Sequence, residues 1–326
     1  MGTIKDENHI VMYEGRVIKN TGSSYVVKTE DGNECPCKIK GNFRIKGIRT
    51  TNPVAVGDIV KITKATDDVY YITEILPRKN YIIRRASNLS KESHILAANI
   101  DYAILVASIF NPETPTTFID RFLSTSEAYS IPAIILFNKS DLWTNEIRVY
   151  AEELKQLYEN IGYPVIFTSA VNGDGIIDLK DIVKDKISLL AGNSGVGKSS
   201  LINALVPGLK LRTGDVSDIH HTGTHTTTFS EMIPLPEGGE LIDIPGVKGF
   251  GMIEFQPAEV SHYFPEIFEK SSECRYGDCR HLGEPGCAVE DAVQKGEISS
   301  SRFASYLSIM EEVMQEKGDD KYRKPF

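Results

Sequence analysis

A glycine-rich segment in the second half of the chain has the spacing of a phosphate-binding loop. Two glycines five positions apart are followed at once by a lysine and a serine, between an apolar run at residues 187–190 and a helix-compatible run at 200–206. In that context backbone N–H groups cradle phosphates, the lysine reaches the β- and γ-phosphate oxygens and the serine hydroxyl ligates Mg²⁺. We therefore predict nucleotide binding by Gly192, Asn193, Ser194, Gly195, Val196, Gly197, Lys198, Ser199 and Ser200.

Residues 138–141, Asn-Lys-Ser-Asp, carry the groups that distinguish guanine from adenine. The carboxylate of Asp141 can accept both the N1–H and the exocyclic amine of guanine, and the wrong base would leave that charge unpaired. Asn138 would bridge the base and neighbouring loops, and the stem of Lys139 would lie along the ring. The pattern alone also fits a turn that begins a helix, but its position after the apolar run at 133–137 favours a base-binding loop.

A third short segment follows another apolar run, at residues 165–167. Its tripeptide, Thr-Ser-Ala at 168–170, fits the loop whose backbone amide meets the O6 atom of guanine. The tripeptide has almost no specificity of its own, so the prediction depends on its position between the other two motifs. We include Ser169 and Ala170 in the predicted GTP site on that basis.

The segment Asp-Ile-Pro-Gly at residues 243–246 fits the part of a GTPase that responds to the γ-phosphate. Asp243 would hold Mg²⁺ through water, and the amide of Gly246 would contact the γ-phosphate. Many GTPases place a glutamine after that glycine to orient the attacking water, and this chain has Val247. Since valine cannot hydrogen-bond to water, either another group positions it or intrinsic turnover is slow.

The segment at residues 223–228, Gly-Thr-His-Thr-Thr-Thr, lies between the phosphate loop and Asp243. We predict that one of its threonines, Thr227 or Thr228, supplies a hydroxyl to Mg²⁺ when GTP is bound. His225 is the candidate catalytic residue, because an imidazole near its ordinary pKa can orient or deprotonate water at neutral pH. The alternatives are that His225 is an exposed loop residue or an RNA contact.

Four potential metal ligands lie within fourteen positions near the C-terminus. Three thiols and one imidazole, spaced Cys-x4-Cys-x-His-x5-Cys, match a closed tetrahedral zinc site with a structural role. Free thiols in a helical region are the alternative interpretation. The remaining two cysteines, Cys35 and Cys37, lie on a predicted strand without further ligands nearby, so we interpret them as barrel residues. The predicted zinc ligands are Cys274, Cys279, His281 and Cys287.

The order of the motifs along the chain indicates a circular permutation. The base-binding segments at 138–141 and 168–170 precede the phosphate loop, whereas in an ordinary small GTPase they follow it. Apolar runs that alternate with helical spacing from about residue 95 predict a doubly wound α/β sheet. Upstream of it, about five short strands predict a small OB-type barrel, with an SH3-like or other small barrel as the alternative.

Composition limits the remaining possibilities. The chain has 326 residues, 41% of them hydrophobic, and it contains neither a long apolar run nor an apolar N-terminus, so we expect a cytoplasmic protein with no membrane partner. The net charge is −9, but residues 1–90 carry 15 basic against 10 acidic residues. This locally basic region remains compatible with binding nucleic acid.

Taken together, these motifs resemble those of the RsgA family, also called YjeQ or YloQ, of circularly permuted GTPases. The resemblance extends to Phe43-Arg44 and to Val-Gly-Asp at 56–58 in the barrel. It implies a multidomain α/β protein: an OB-fold RNA-binding domain at 1–90, a permuted P-loop GTPase domain at 91–254 and a C-terminal zinc-binding helical domain at 255–326. It also implies GTP hydrolysis, with one structural Zn²⁺ and with Mg²⁺ bound beside GTP.

The resemblance further implies a role in late maturation of the small (30S) ribosomal subunit, with contact to 16S rRNA, turnover stimulated by the subunit, and His225 as the catalytic residue. We expect a monomer. Thr224 stands where the family often has a basic residue, which weakens the case for a phosphate or rRNA contact by this loop. Two alternatives stay open: an RNA-binding assembly factor that hydrolyses GTP poorly, and a permuted GTPase of large-subunit assembly. The latter is disfavoured because such proteins are not expected to combine this barrel with this cysteine motif.

Overall fold

A computed structural model describes residues 4–5, 11–22, 24–39, 53–64, 69–85, 93–209, 211, 231–243 and 255–317. These residues form a barrel, an α/β region and a helical region, in that order along the chain. Among them, no helix combines the length and the apolar character that crossing a bilayer requires. The predicted barrel residues Phe43-Arg44 lie outside the described residues.

The N-terminal strands close into a barrel. Strand β2 pairs with both β3 and β5, and β4 runs parallel to β6, so the closed order is β2-β3-β4-β6-β5. Alternate residues point inward, as Tyr25, Val27 and Thr29 do in β3. This arrangement confirms the OB-type barrel, and the buried side chains of Cys35 and Cys37 lie in its core. The strands are β1 (Ile4–Lys5), β2 (Val11–Asn20), β3 (Tyr25–Thr29), β4 (Glu34–Ile39), β5 (Ile59–Lys64) and β6 (Tyr70–Ile75).

A two-stranded hairpin that the sequence pattern did not reveal links the barrel to the α/β region. It consists of β7 (Tyr81–Arg85) and β8 (Ser93–Ala98). Ile82 and Ala97 of the hairpin are fully buried in the same core as Val56 of the barrel. Gly57 lies against the hairpin at φ +93°, and a Cβ there would overlap the carbonyl oxygen of Ala98. Only glycine fits this close approach.

The α/β region is a doubly wound sheet in the order β11-β10-β9-β12-β14-β13. The first five strands are parallel, β13 is antiparallel, and helices α1 and α2 cover one face while α3 and α4 cover the other. Edge strand β13 meets the barrel where Glu231 pairs with Lys19. The elements are β9 (Tyr102–Ser108), α1 (Thr116–Ala128), β10 (Ala133–Asn138), α2 (Asn145–Ile161), β11 (Val165–Thr168), α3 (Ile176–Val183), β12 (Ile187–Gly192), α4 (Lys198–Leu205), β13 (Glu231–Pro234) and β14 (Glu240–Asp243).

The C-terminal region contains α5 (Pro265–Ser271), α6 (Ala288–Lys295) and α7 (Ser300–Lys317). Upstream of α6 the chain does not form one continuous helix. A short 3₁₀ helix, Val260–Tyr263, is separated from α5 by Phe264, which is extended at φ −125° and ψ 92°. Pro265 explains the break, because proline disfavours the helical conformation in the residue before it and readily begins a new helix.

Candidate nucleotide and metal sites

The phosphate loop connects the end of β12 to the start of α4. Gly195 and Gly197 adopt positive φ angles of +81° and +92°, a region that favours glycine. Val196 between them is fully buried and anchors the loop to the core. A Cβ on Gly192 would overlap the carbonyl oxygen of Val106 on the neighbouring strand. The glycines of the motif are therefore required by the backbone path of the loop.

One asparagine joins three of the predicted segments. The Nδ2 group of Asn138 donates a hydrogen bond of 2.8 Å to the carbonyl oxygen of Val196 in the phosphate loop. The hydroxyl of Thr168 donates to Oδ1 of Asn138 at 3.1 Å. Asn138 is 2% exposed and Thr168 is fully buried, so little water competes for these bonds. The loops that follow β10, β11 and β12 are thus held together at the carboxyl ends of the strands.

The remaining predicted base-binding side chains are also held in place. Lys139 lies in the left-handed region at φ +68°, and its ammonium group donates a hydrogen bond to the carbonyl oxygen of Asn111. The hydroxyl of Ser169 donates to Oδ1 of Asp141, and the same hydroxyl oxygen accepts from the backbone amide of Val171 at 3.2 Å. Sequence reasoning missed Asn111, since a backbone carbonyl that supports a distant lysine leaves no residue-type signal.

A lysine and an aspartate meet at the phosphate end of the site. The Nζ atom of Lys198 lies 3.0 Å from Oδ1 of Asp243, and the two side chains are 16% and 15% exposed. That oxygen is buried and receives no well-oriented hydrogen bond from any described residue, so the contact is a charge attraction. A buried carboxylate oxygen that accepts no hydrogen bond can bind a water molecule or a metal cation. His225, Thr227, Gly246 and Val247 lie outside the described residues.

The four predicted metal ligands converge in the helical region. Their ligand atoms all lie within 4.8 Å of one another. Nδ1 of the buried His281 is 3.3 Å from Sγ of Cys287 and 3.7 Å from Sγ of Cys274. Such spacings suit a central ion with bonds of about 2.0 to 2.3 Å. Burial raises the pKa of the Cys279 thiol to about 12, so metal binding would displace protons. The cluster can hold a metal ion.

The loop that carries His281 is fixed by groups other than the ligands. His281 adopts φ +58°, and the carboxylate of Glu284 accepts hydrogen bonds from the amides on both sides of it, Arg280 at 3.1 Å and Leu282 at 2.6 Å. The hydroxyl of Tyr306 donates to the carbonyl oxygen of Arg280 at 2.7 Å. Neither Glu284 nor Tyr306 was singled out from the sequence, although a carboxylate between the last two ligands was a signal available to find the first.

The sheet order and the converging loops define a P-loop protein of the GTPase class whose motifs are circularly permuted along the chain. Residues 75–253 match the family described as RsgA GTPase, and residues 14–72 match the one described as RsgA N-terminal domain. The chain is 58% identical to a small ribosomal subunit biogenesis GTPase RsgA of Porphyromonas gingivalis, over 95% of this chain and 100% of the relative. A relative of the same name from Bacteroides fragilis is 55% identical, with 95% and 99% covered.

Solved structures lead to the same assignment. The crystal structure of YjeQ from Thermotoga maritima is similar, with a TM-score of 0.75 and 35% identity, over 93% of this chain and 99% of that one. The structure of YloQ, described as a circularly permuted GTPase, has a TM-score of 0.72 and 31% identity, over 99% and 100%. The chain belongs to the RsgA GTPase family. It is a GTP hydrolase, and the resemblance inferred from the motifs is confirmed.

Proposed function

We propose that this protein hydrolyses GTP to GDP and phosphate during late maturation of the small (30S) ribosomal subunit, and that the subunit stimulates its turnover. The names of the curated relatives, at 55% to 58% identity, support the ribosomal role. The observation that supports the chemistry is the hydrogen-bond chain from Thr168 through Asn138 to Val196, because it holds the loops after β10, β11 and β12 together at one edge of the sheet.

In this proposal guanine lies against the loops after β10 and β11. Asp141 accepts the N1–H and amine of the base, and its hydrogen bond from Ser169 orients the carboxylate. The backbone amide of Ala170 meets the O6 atom. The stem of Lys139 covers one face of the ring, and the bond from its ammonium group to Asn111 holds that stem in position. Adenine would leave the carboxylate unpaired, which is the basis of selectivity for GTP over ATP.

In this proposal the phosphates lie along residues 192–200, and the backbone amides of this loop would bind them at the start of α4. Lys198 binds the β- and γ-phosphates and leaves its ion pair with Asp243 when it does so. The hydroxyls of Ser199 and Thr227 and the carboxylate of Asp243 would hold Mg²⁺, and the buried Oδ1 of Asp243, which accepts no hydrogen bond from the described residues, fits that role once Lys198 has moved to the phosphates. The ion, when bound, neutralises charge on the phosphates. Gly246 contacts the γ-phosphate.

For the hydrolytic step we propose His225 as the residue that orients and deprotonates the attacking water. The support is chemical: Val247 occupies the position at which many GTPases carry glutamine and cannot hydrogen-bond to water. His225 is a titratable group in the segment that precedes β13, and that segment also contains the candidate Mg²⁺ ligand Thr227. We therefore assign the hydrolytic step to this segment, with His225 as its catalytic side chain and Thr227 as its Mg²⁺ ligand.

The metal held by Cys274, Cys279, His281 and Cys287 is, in this proposal, one structural Zn²⁺. Three thiolates and an imidazole in a partly buried cluster would complete a tetrahedral site with no open position for a substrate, and this donor set favours zinc. When bound, the ion would cross-link the loop between α5 and α6 and so stabilise the helical region.

We propose the same three domains as those expected from sequence, with boundaries at 90/91 and 254/255. The basic charge of residues 1–90 supports contact between the barrel and 16S rRNA. The protein would act in the cytoplasm as a monomer that binds GTP as substrate and GDP as product.

Subunit-dependent GTP hydrolysis tests the proposal. Phosphate release is measured at saturating GTP with and without purified small subunits, and with large subunits as the control. We expect small subunits, and not large subunits, to accelerate phosphate release. Turnover that small subunits do not change would favour the alternative of an RNA-binding factor that hydrolyses GTP poorly. Acceleration by large subunits alone would overturn the ribosomal assignment.

A further inference from the structure

A buried cluster of charged side chains joins the metal-binding helices to the α/β region. Nη1 of Arg302 on α7 lies 2.9 Å from Oδ1 of Asp120 on α1, and both side chains are only 1% exposed. Asp120 also accepts hydrogen bonds from the hydroxyl of Ser305 at 2.6 Å and from that of Tyr158 on α2 at 3.0 Å. Both carboxylate oxygens are therefore used, and the cluster spans two regions of the protein.

The same guanidinium group reaches a third helix. Nε and Nη2 of Arg302 donate to the two carboxylate oxygens of Glu266 on α5, at 2.7 and 3.1 Å. Its face lies 4.7 Å from the centre of the Phe264 ring. Burial would lower the pKa of Arg302, but the carboxylates of Asp120 and Glu266 raise it above its ordinary value. The planar guanidinium group of Arg302 thus donates to a carboxylate on each of two helices, and the single ammonium group of a lysine could not reproduce this geometry.

The loop that leads into α1 reaches the proposed nucleotide site, about one helical turn before Asp120. The loop at residues 109–115 precedes α1, and the carbonyl oxygen of Asn111 within it accepts the hydrogen bond from Lys139. In the same loop, Pro112 lies 3.4 Å from the position that a Cβ on Gly195 would occupy. The loop is closed at its base by Thr114, whose amide donates to the carbonyl oxygen of Ser108 at 2.7 Å. One helix and its leading loop therefore contact both the nucleotide loops and the metal-binding region.

A buried ion pair adds little net stability compared with an apolar contact of the same shape, but it requires specific partners and angles. An apolar contact between α1 and α7 would hold the regions together and tolerate small rotations. A guanidinium group that donates hydrogen bonds to two carboxylates on two helices tolerates much less rotation. The charged cluster therefore fixes the orientation of α1 relative to α5 and α7.

We propose that Arg302 is a positioning residue for the nucleotide site: by clamping α1 it holds the loop at 109–115 against Lys139 and Gly195, and so couples nucleotide binding to the metal-binding region. This inference rests on the proposed nucleotide site. Because coupling between two sites is reciprocal, nucleotide binding must in turn protect the metal-binding helices. Coupling of ordinary size changes affinity by about 5- to 150-fold.

The test compares the affinity for a fluorescent GDP analogue in full-length Arg302→Met with two control variants. Arg121→Ala removes the exposed ion pair with Glu312, which joins the same two helices at 2.6 Å. Ile309→Ala destabilises the buried face of α7 without removing any of the charged cluster's hydrogen-bonding side chains. We expect GDP binding at least about fivefold weaker in Arg302→Met and changed less than about twofold in both controls. Equal affinities in Arg302→Met and Ile309→Ala would overturn the proposal.

A second measurement needs no substitution. Hydrogen exchange of the wild-type, metal-loaded protein is followed with and without GDP, and we expect GDP to slow exchange in α1 and in the first half of α7. Unchanged exchange in α7 while the phosphate loop is protected would overturn the coupling, even if Arg302→Met does not fold. Failure of the wild-type protein to bind GDP at all would instead refute the proposed nucleotide site.

Discussion

Replacing Gly197 by Ala tests whether Asn138 organises the nucleotide pocket. Gly197 is at φ +92°, and a Cβ there would overlap Nδ2 of Asn138. The backbone of the phosphate loop is anchored by the buried Val196, so the asparagine side chain is the group that must move. Its displacement breaks two hydrogen bonds, one to the carbonyl oxygen of Val196 and one from Thr168.

The expected magnitude follows from those two effects. An alanine in the left-handed region costs about 1 to 2 kcal/mol, which lowers the free energy of unfolding. Each lost hydrogen bond is worth about 1 kcal/mol. If the two bonds serve to organise the pocket, GDP affinity falls by about 2 kcal/mol, or roughly 30-fold.

The chain provides a matched control in Gly208, which has φ +98° and no atom within 4 Å of the position that a Cβ would occupy. Gly208→Ala should lose similar stability through backbone strain while GDP affinity changes less than about twofold. Thermal unfolding and GDP titration are measured for both variants. In an Asn138→Ala variant there is no Nδ2 group for the new Cβ to overlap. Adding Gly197→Ala to that variant should therefore weaken GDP binding by less than about a further threefold.

The reasoning would be refuted if Gly197→Ala bound GDP as well as Gly208→Ala does. An additive effect of Gly197→Ala in the Asn138→Ala background would also refute it, because the loss would then come from the phosphate loop alone. Either result would leave Asn138 as a structural residue of the β10 end and remove the main support for a shared pocket.

Replacing Asp141 by Asn should weaken GTP binding by about tenfold or more and narrow the preference for GTP over ATP, measured by competition; unchanged selectivity contradicts its role. Replacing His225 by Ala should lower turnover by roughly 10²-fold with little change in GTP affinity, and near-normal turnover would assign the step to another group. Cys279→Ser should abolish stoichiometric zinc and speed hydrogen exchange in α7, whereas Cys35→Ser, in the barrel, should retain one zinc per chain. Retention of zinc by Cys279→Ser would contradict the ligand set.

The convergence of the nucleotide loops could be predicted because each one directly follows a buried strand. The apolar runs at 133–137, 165–167 and 187–190 form β10, β11 and β12, which are parallel. Carboxyl ends of parallel strands meet at one edge of a sheet, so motifs placed after them must be neighbours. The convergence of the predicted metal ligands was predictable for a related reason, since four donors within fourteen positions need only one local loop to meet.

The charged cluster of Arg302, Asp120 and Glu266 could not be predicted in the same way. Asp120 on α1 has the same appearance in sequence as a solvated helix residue, and its partner Arg302 follows 182 positions later. No helical period or turn rule connects residues so far apart, and only the packing of α7 against α1 buries both. The hairpin of β7 and β8 was missed because its strands join regions that the pattern assigned to separate folds.

The permuted motif order still brings the proposed nucleotide loops together, because their meeting depends on where the strands lie in the sheet and not on the order of the strands along the chain. The rotation changes which residues border the flanking regions. Strand β13 begins at Glu231, directly after the segment at 212–230, and forms the sheet edge that pairs with the barrel. Strand β14 ends at Asp243, and the chain beyond it leads to the helical region. Along the chain, the segments proposed to respond to the γ-phosphate are therefore connected directly to the strand that meets the barrel and to the helical region, so we expect GTP hydrolysis to change how both regions are held.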